Sequence, residues 1–138
     1  YARRQWNLVD NKDLCYHFLG DFDRAMIKLL RSIKNIQNTI VEEILSNDND
    51  QVLAYRRDEF LFVFNFNPTQ SFSDYGILVP TGSYEVVLNT DAKEFGGNGL
   101  TDDKVIHLTN YDPLYVKDHK EWLKLYIPAR SAVVLKKN

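Results

Sequence analysis

Cysteine is almost missing from this chain. Cys15 is the only one in 138 residues, so no disulfide can close within it. Set among Leu14, Phe18 and Leu19, Cys15 reads as a small buried apolar residue of a protein kept in a reducing cytoplasm. Long apolar runs are missing too. Nothing approaches the roughly 20 residues that a membrane-spanning helix needs, and no signal-peptide pattern opens the chain. Charge of one sign is lacking: 17 basic against 19 acidic residues leave a formal net charge of −2. A field that small recruits neither a polyanion nor an anionic membrane, so nucleic acid and membrane are poor partners. A neutral ligand such as a sugar polymer is compatible with it.

The patterns of common catalytic centres are also absent. His17, His107 and His119 stand far apart, with no second His or Cys at ligand spacing, which argues against a metal. Gly96-Gly97-Asn98-Gly99 lacks the Lys-Ser/Thr that would meet a nucleotide, and no helical pattern follows it. Ser131 has no G-x-S-x-G context that would make it a nucleophile. No cofactor is expected.

What the chain does hold is aromatic surface. Eight Phe, eight Tyr and two Trp make up 13% of it, and such rings suit pleated, half-buried sheets. The length allows one domain with a real core and is short for two.

Residues 1–34 read as helical. The opening Tyr1-Ala2-Arg3-Arg4, without Met, looks like the middle of a helix, as in a piece cut from a longer chain. Val9-Asp10-Asn11 interrupts the pattern, and Asp10 or Asn11 can cap the helix that follows. Leu14, Phe18, Phe22, Met26 and Leu30 then recur every four residues, with Leu19, Leu29 and Ile33 widening the stripe. Gly20-Asp21 is expected to divide this run into two helices, with Asp21 capping the second.

Residues 35–50 carry two readings. Ile33, Ile36, Ile40 and Ile44 keep a helical period, yet Asn35, Asn38, Thr39, Ile40 and Val41 are weak helix formers. The alternative is a strand around Glu43 to Leu45, joined through the turn at residues 46–50 to the next strand as a hairpin.

From residue 51 the period becomes two. Residues 51–57 form a first strand. In residues 59–66, Phe60, Phe62, Phe64 and Phe66 point one way and Leu61 and Val63 the other, the mark of an interior strand buried on both faces. Further strands fall at residues 74–79, around Tyr84, Val86 and Leu88, near 105–108, and at 122–127 and 131–136. Residues 89–104 make a long loop. Short strands parted by turns favour an antiparallel β-sandwich of seven or eight strands over a parallel sheet.

Sugar chemistry needs only two carboxylates. The adjacent pairs Glu42-Glu43, Asp48-Asp50, Asp58-Glu59 and Asp102-Asp103 read as solvated surface charge. The loop at 91–99 stands out, because Phe95 before Gly96-Gly97 suggests a buried ring beside backbone that needs positive φ. It reads either as an Ω-like loop pinned by its aromatic residue or as a sugar-contacting edge.

Six pieces of the chain are specific enough to name a family. They are Tyr1-Ala2-Arg3-Arg4-Gln5-Trp6-Asn7-Leu8-Val9-Asp10; Phe22-Asp23-Arg24-Ala25-Met26; Phe62-Val63-Phe64-Asn65-Phe66; Asn89-Thr90-Asp91-Ala92 leading to Phe95-Gly96-Gly97; Tyr126-Ile127-Pro128-Ala129-Arg130; and Ser131-Ala132-Val133-Val134-Leu135. In this order they resemble the C-terminal region of glycogen (starch) branching enzymes, nearest to the branch with eukaryotic members. Residues 33–50 match that pattern least.

The resemblance implies a mainly β fold: an α-amylase C-domain-like antiparallel sandwich at 41–138, preceded at 1–40 by the last helices of a truncated (β/α)8 barrel. It implies a parent glycosyltransferase of retaining mechanism that cuts an α-1,4-linked glucan and rejoins it through an α-1,6 bond, without metal or organic cofactor. The family's catalytic Asp, Glu and Asp have no counterpart here, so no catalytic residue is assigned and this piece alone is expected to be inert. Its implied partner is the catalytic barrel of the same parent chain, with α-glucan reached through the parent and self-association possible through exposed apolar helices. The other reading is a carbohydrate-binding module whose aromatics, such as Tyr75, Tyr111, Tyr115 or Trp122, stack on glucose. Trp122 alternates in register with Tyr126, which favours a core role for it; Tyr111 and Tyr115, in a loop, are the better candidates. Arg3, Arg4 and Gln5 are nearest in sequence to the lost active site, and helix-surface ion pairs account for them equally well.

Overall fold

The computed structural model describes residues 3–111 and 120–138. A single helical turn, α1 (Asn7–Asp10), leads into one long helix, α2 (Tyr16–Ser32). Gly20 does not divide it. A methyl group at Gly20 would sit 2.8 Å from Val9 Cγ1, so the glycine lets the two helical segments cross closely. Asp21 pairs instead with Arg24 along the helix surface, at 3.2 Å. The expected caps are replaced as well. Cys15 occupies the N-cap position of α2 with no side-chain bond, while Asn11 Oδ1 accepts from the Asp13 amide at 3.0 Å in a local turn. Cys15 is exposed, contrary to the sequence reading, because it sits in this connecting turn rather than on the packed stripe.

The helix ends at Ile33, which is buried. Asn35 then turns left-handed at φ 53°, opening a short 3₁₀ turn, Ile36–Asn38, that breaks the isoleucine period. The Arg57 guanidinium donates to the Ile36 carbonyl and, at 3.1 Å, to Thr39 Oγ1, tying this linker to the sheet. Residues 40–50 are therefore strand and turn. β1 (Val41–Asn47) pairs antiparallel with β2 (Val52–Arg57). In the turn Asn47 Oδ1 accepts from the Asp50 amide at 3.0 Å.

Six further strands follow among the described residues: β3 (Phe60–Asn65), β4 (Phe72–Pro80), β5 (Ser83–Asn89), β6 (Ile106–Leu108), β7 (Lys120–Ile127) and β8 (Ser131–Lys137). They form an antiparallel six-stranded sheet in the order β1-β2-β3-β8-β5-β6 and a two-stranded sheet, β4-β7. The fold is mainly β, as the sequence indicated.

β3 organises both faces of the large sheet. Leu61 and Val63 point inward with Val52, Ala54, Tyr84 and Leu135, meeting Ile77, Val79, Leu123, Leu125 and Ile127 of the small sheet. Phe60 and Phe62 point outward with Leu88 and Val134, and there Phe22, Ala25, Met26 and Leu29 of α2 cover them. The order of layers is thus helix, large sheet, small sheet. Beyond the end of α2, Phe64 and Phe66 stack at 5.5 Å, and Phe66 is 61% exposed.

One buried amide ties the layers at their end. Asn65 is 2% exposed, and its Nδ2 donates to the carbonyls of Gln70 at 3.0 Å, Ile127 at 3.1 Å and Pro128 at 3.1 Å. Its Oδ1 accepts from the Asn67 amide at 3.0 Å. Asn65→Ala would strand these buried carbonyls, so a loss of about 2–4 kcal/mol of stability is expected in urea unfolding. A change near zero would mean that water or backbone shifts replace the amide.

Candidate functional site

Alternation along β7 decides where its aromatics point. Leu123, Leu125 and Ile127 are buried between the sheets, so Trp122, Lys124 and Tyr126 face outward. This corrects the core role expected for Trp122: its register with Tyr126 holds, but on the outer face of the small sheet. The indole stays partly buried because it lies across Gly76 of β4. A methyl group there would meet Trp122 Cε3 at 2.9 Å and Cζ3 at 3.3 Å. Tyr126 is 39% exposed on the same face.

Of the other candidates, Tyr111 is exposed and follows Asn110, whose backbone bridges Trp122 with N···O distances of 2.8 and 2.9 Å. Trp122 thus has Asn110 across from it on one side and Leu78 of β4 on the other. Tyr115 lies outside the described residues, as does His119. Tyr75 is no exposed platform. It is partly buried beside Phe72, and its hydroxyl donates to Asp50 Oδ2 at 2.9 Å and accepts from Asn47 Nδ2 at 3.2 Å. Burial, then the neighbouring Asp50, pushes its pKa up.

The loop after β5 is a closed structural unit. Asp91 is buried, and its carboxylate accepts from the amides of Asn98 at 3.0 Å and Leu100 at 2.8 Å. Gly97 packs directly on the Asp91 backbone, where no side chain fits. Gly96, at φ 78°, lies under the Phe18 ring, and Phe95 meets Phe22 edge-on at 5.4 Å. The loop is thereby pinned to α2 by its aromatic residue. At its base the buried Asn89 donates to Thr101 Oγ1 and to Asp103 Oδ1, both at 2.8 Å. The adjacent carboxylates are spent in the same way. Glu42 pairs with Arg56 at 2.6 Å, Asp50 holds Tyr75, and Asp103 takes Asn89. These partners are structural.

Among the described residues no group of His, Cys, Asp and Glu could hold a metal ion. The His17 Nδ1–H donates to the Leu14 carbonyl at 2.6 Å. Near the chain's start, Arg4 lies 5.7 Å from the Trp6 ring, a surface pair. On the inner face of the large sheet Tyr84 is buried and donates to the Pro80 carbonyl at 2.8 Å; burial pushes its pKa up to about 12. His107 pairs with it in register and shares that face. Burial lowers the pKa of His107 below its ordinary 6.5.

Comparison with known proteins agrees with this architecture. Residues 44–138 match the family model described as alpha amylase, C-terminal all-beta domain. Curated relatives include the 1,4-alpha-glucan-branching enzymes of Candida glabrata, 42% identical over 98% of this chain and 19% of its own length, and of Saccharomyces cerevisiae, 38% identical over 98% and 19%. That of Dictyostelium discoideum is 39% identical over 99% of the chain and 20% of its own length. The chain spans about a fifth of the length of these relatives.

The His107 environment has a measurable consequence. Because its folded-state pKa is depressed, the unfolded chain binds more protons in the window below 6.5. Stability from this group is therefore complete above that pH and falls as the pH drops through the window. His107→Gln should flatten that part of a stability–pH curve measured by urea unfolding; an unchanged slope would assign the window to other groups.

Proposed function

The chain belongs to the α-amylase C-terminal all-β domain family, and on that premise we propose that it serves as the supporting C-terminal part of a 1,4-α-glucan-branching enzyme. In this reading the parent cuts α-1,4-linked glucan and rejoins it through α-1,6 bonds by a retaining mechanism, with its reacting carboxylates elsewhere in the longer chain. Two carboxyl groups in such a centre stand about 5 Å apart, and small displacements cost rate. A rigid sandwich fixed to the barrel would hold that spacing. Residues 1–40 would be the barrel's last helices.

The observation that carries this reading is the apolar surface left on the helical segment. α2 already covers the large sheet with Phe22, Met26 and Leu29. Even so, Leu19 is 66%, Ile27 45% and Leu30 37% exposed, with Trp6 and Tyr16 exposed just before them. Such a second apolar side fits burial against the rest of a parent chain. No helix described is long and apolar enough to cross a membrane; the compartment we propose is the cytoplasm.

A second reading, direct glucan contact, draws support from Trp122 spread across Gly76 beside Tyr126. Indole and phenol faces are the groups on which sugar rings stack, and Tyr111 lies close along the chain.

Two measurements separate these readings. In sedimentation the isolated chain should self-associate and bind an apolar dye, and Ile27→Glu with Leu30→Glu should reduce both. A dye-silent monomer at high concentration would count against the scaffold. Titration with maltoheptaose should leave tryptophan emission unchanged if support is the whole role. A saturable millimolar response that Trp122→Ala abolishes would establish the glucan-contact reading.

A further inference from the structure

The small sheet is too narrow to roof the large one. β4 and β7 close over part of the large sheet, and on the β5–β6 side the loop carrying Leu100 and Val105 stands in for missing strands. A cavity of about 270 Å³ remains between the layers. Val86 of β5, Val133 and Leu135 of β8 and Leu125 of β7 form its walls, and His107 looks in from β6.

That space opens to solvent on one side, so it is a cleft that a solute can enter and not a sealed void. Small-molecule sites begin near 300 Å³ and combine apolar walls with a few placed polar groups.

We propose that this cavity binds a small neutral molecule with an apolar body and one hydrogen-bonding group, of which a simple phenol is the type, with His107 as its polar contact. The walls select the apolar body. Among the described residues the lining holds no lysine or arginine to offer an anion a counter-charge, and Asp102 at the rim disfavours one further. Two of the polar groups at the rim are already engaged: Asn89 is held by Thr101 and Asp103, and Ser131 Oγ donates to the Pro128 carbonyl at 2.6 Å. The His107 ring makes no hydrogen bond with the described residues, so a ring nitrogen is open to a ligand hydroxyl. Burial lowers its pKa and so favours the neutral ring, whose free nitrogen can accept a hydrogen bond from that hydroxyl.

The test is methyl NMR of the full chain, titrated with p-cresol and, as a polar control, with maltose. Saturable shifts at Val86, Val133, Leu125 and Leu135 with p-cresol alone are expected. Val86→Phe should fill the space and weaken binding at least about tenfold. If that variant does not fold, Val105→Phe closes the cavity from the loop side and serves in its place. His107→Ala should weaken p-cresol about threefold or more, yet leave toluene, which lacks the hydroxyl, unaffected. The proposal is overturned if no wall methyl shifts saturably up to about 10 mM p-cresol. It is equally overturned if shifts are confined to α2 and Phe66, or if the filled variant binds as well as the original.

Discussion

The requirement that β3 be buried on both faces governs the rest of the architecture. Its side chains alternate between two apolar sets, with Leu61 and Val63 on one side and Phe60 and Phe62 on the other. A single-residue slip would exchange the sets and present phenyl rings to a space shaped for aliphatic groups. Each face therefore needs its own cover, the small sheet inside and α2 outside. The helix is a layer of the fold as much as a prelude to it. The aromatic column of Tyr55, Phe62 and Phe64, with near-parallel rings 4.7 and 5.8 Å apart, stiffens the outer side of this arrangement.

The strands were largely legible in the sequence because period-two alternation is local, whereas the hairpin at residues 46–50 stood as one of two readings, its turn residues set against a helical period of isoleucines. What escaped depended on contacts between segments distant in the chain. Gly20 reads as a break until Val9 is seen lying against it. Cys15 reads as core until its neighbours are known to face a connecting turn. Trp122 presented the hardest case. Its spacing of four from Tyr126, two full periods of a strand, was correct, but alternation alone does not say which face is inner, and the answer lay in Leu123, Leu125 and Ile127. The burial of Asp91 was hidden for the same reason, since the amides it accepts from follow only once the glycine-rich loop has closed on itself.

The polar chemistry of the chain is inward-looking. Asn65, Asn89, Asp91 and the Tyr75–Asp50–Asn47 group all spend their hydrogen bonds on backbone or on neighbouring side chains. Groups so engaged resist the rearrangement that catalysis asks of an acid or a nucleophile. Outside these groups, the apolar residues Leu19, Ile27 and Leu30 of α2 and Tyr126 of β7 are among the exposed features.

The strand order carries a consequence for biosynthesis. β8 is the last of the described strands in sequence, yet it lies between β3 and β5 in the middle of the large sheet. A nascent chain emerging from the ribosome can form the β1-β2-β3 meander early, but it leaves one long edge of β3 unpaired until Ser131–Lys137 arrive. Until then that edge is a template for the wrong strand, from another copy or a neighbouring domain. Loss of Ser131–Lys137 would thus split the sheet through its centre and leave a translation product prone to clump.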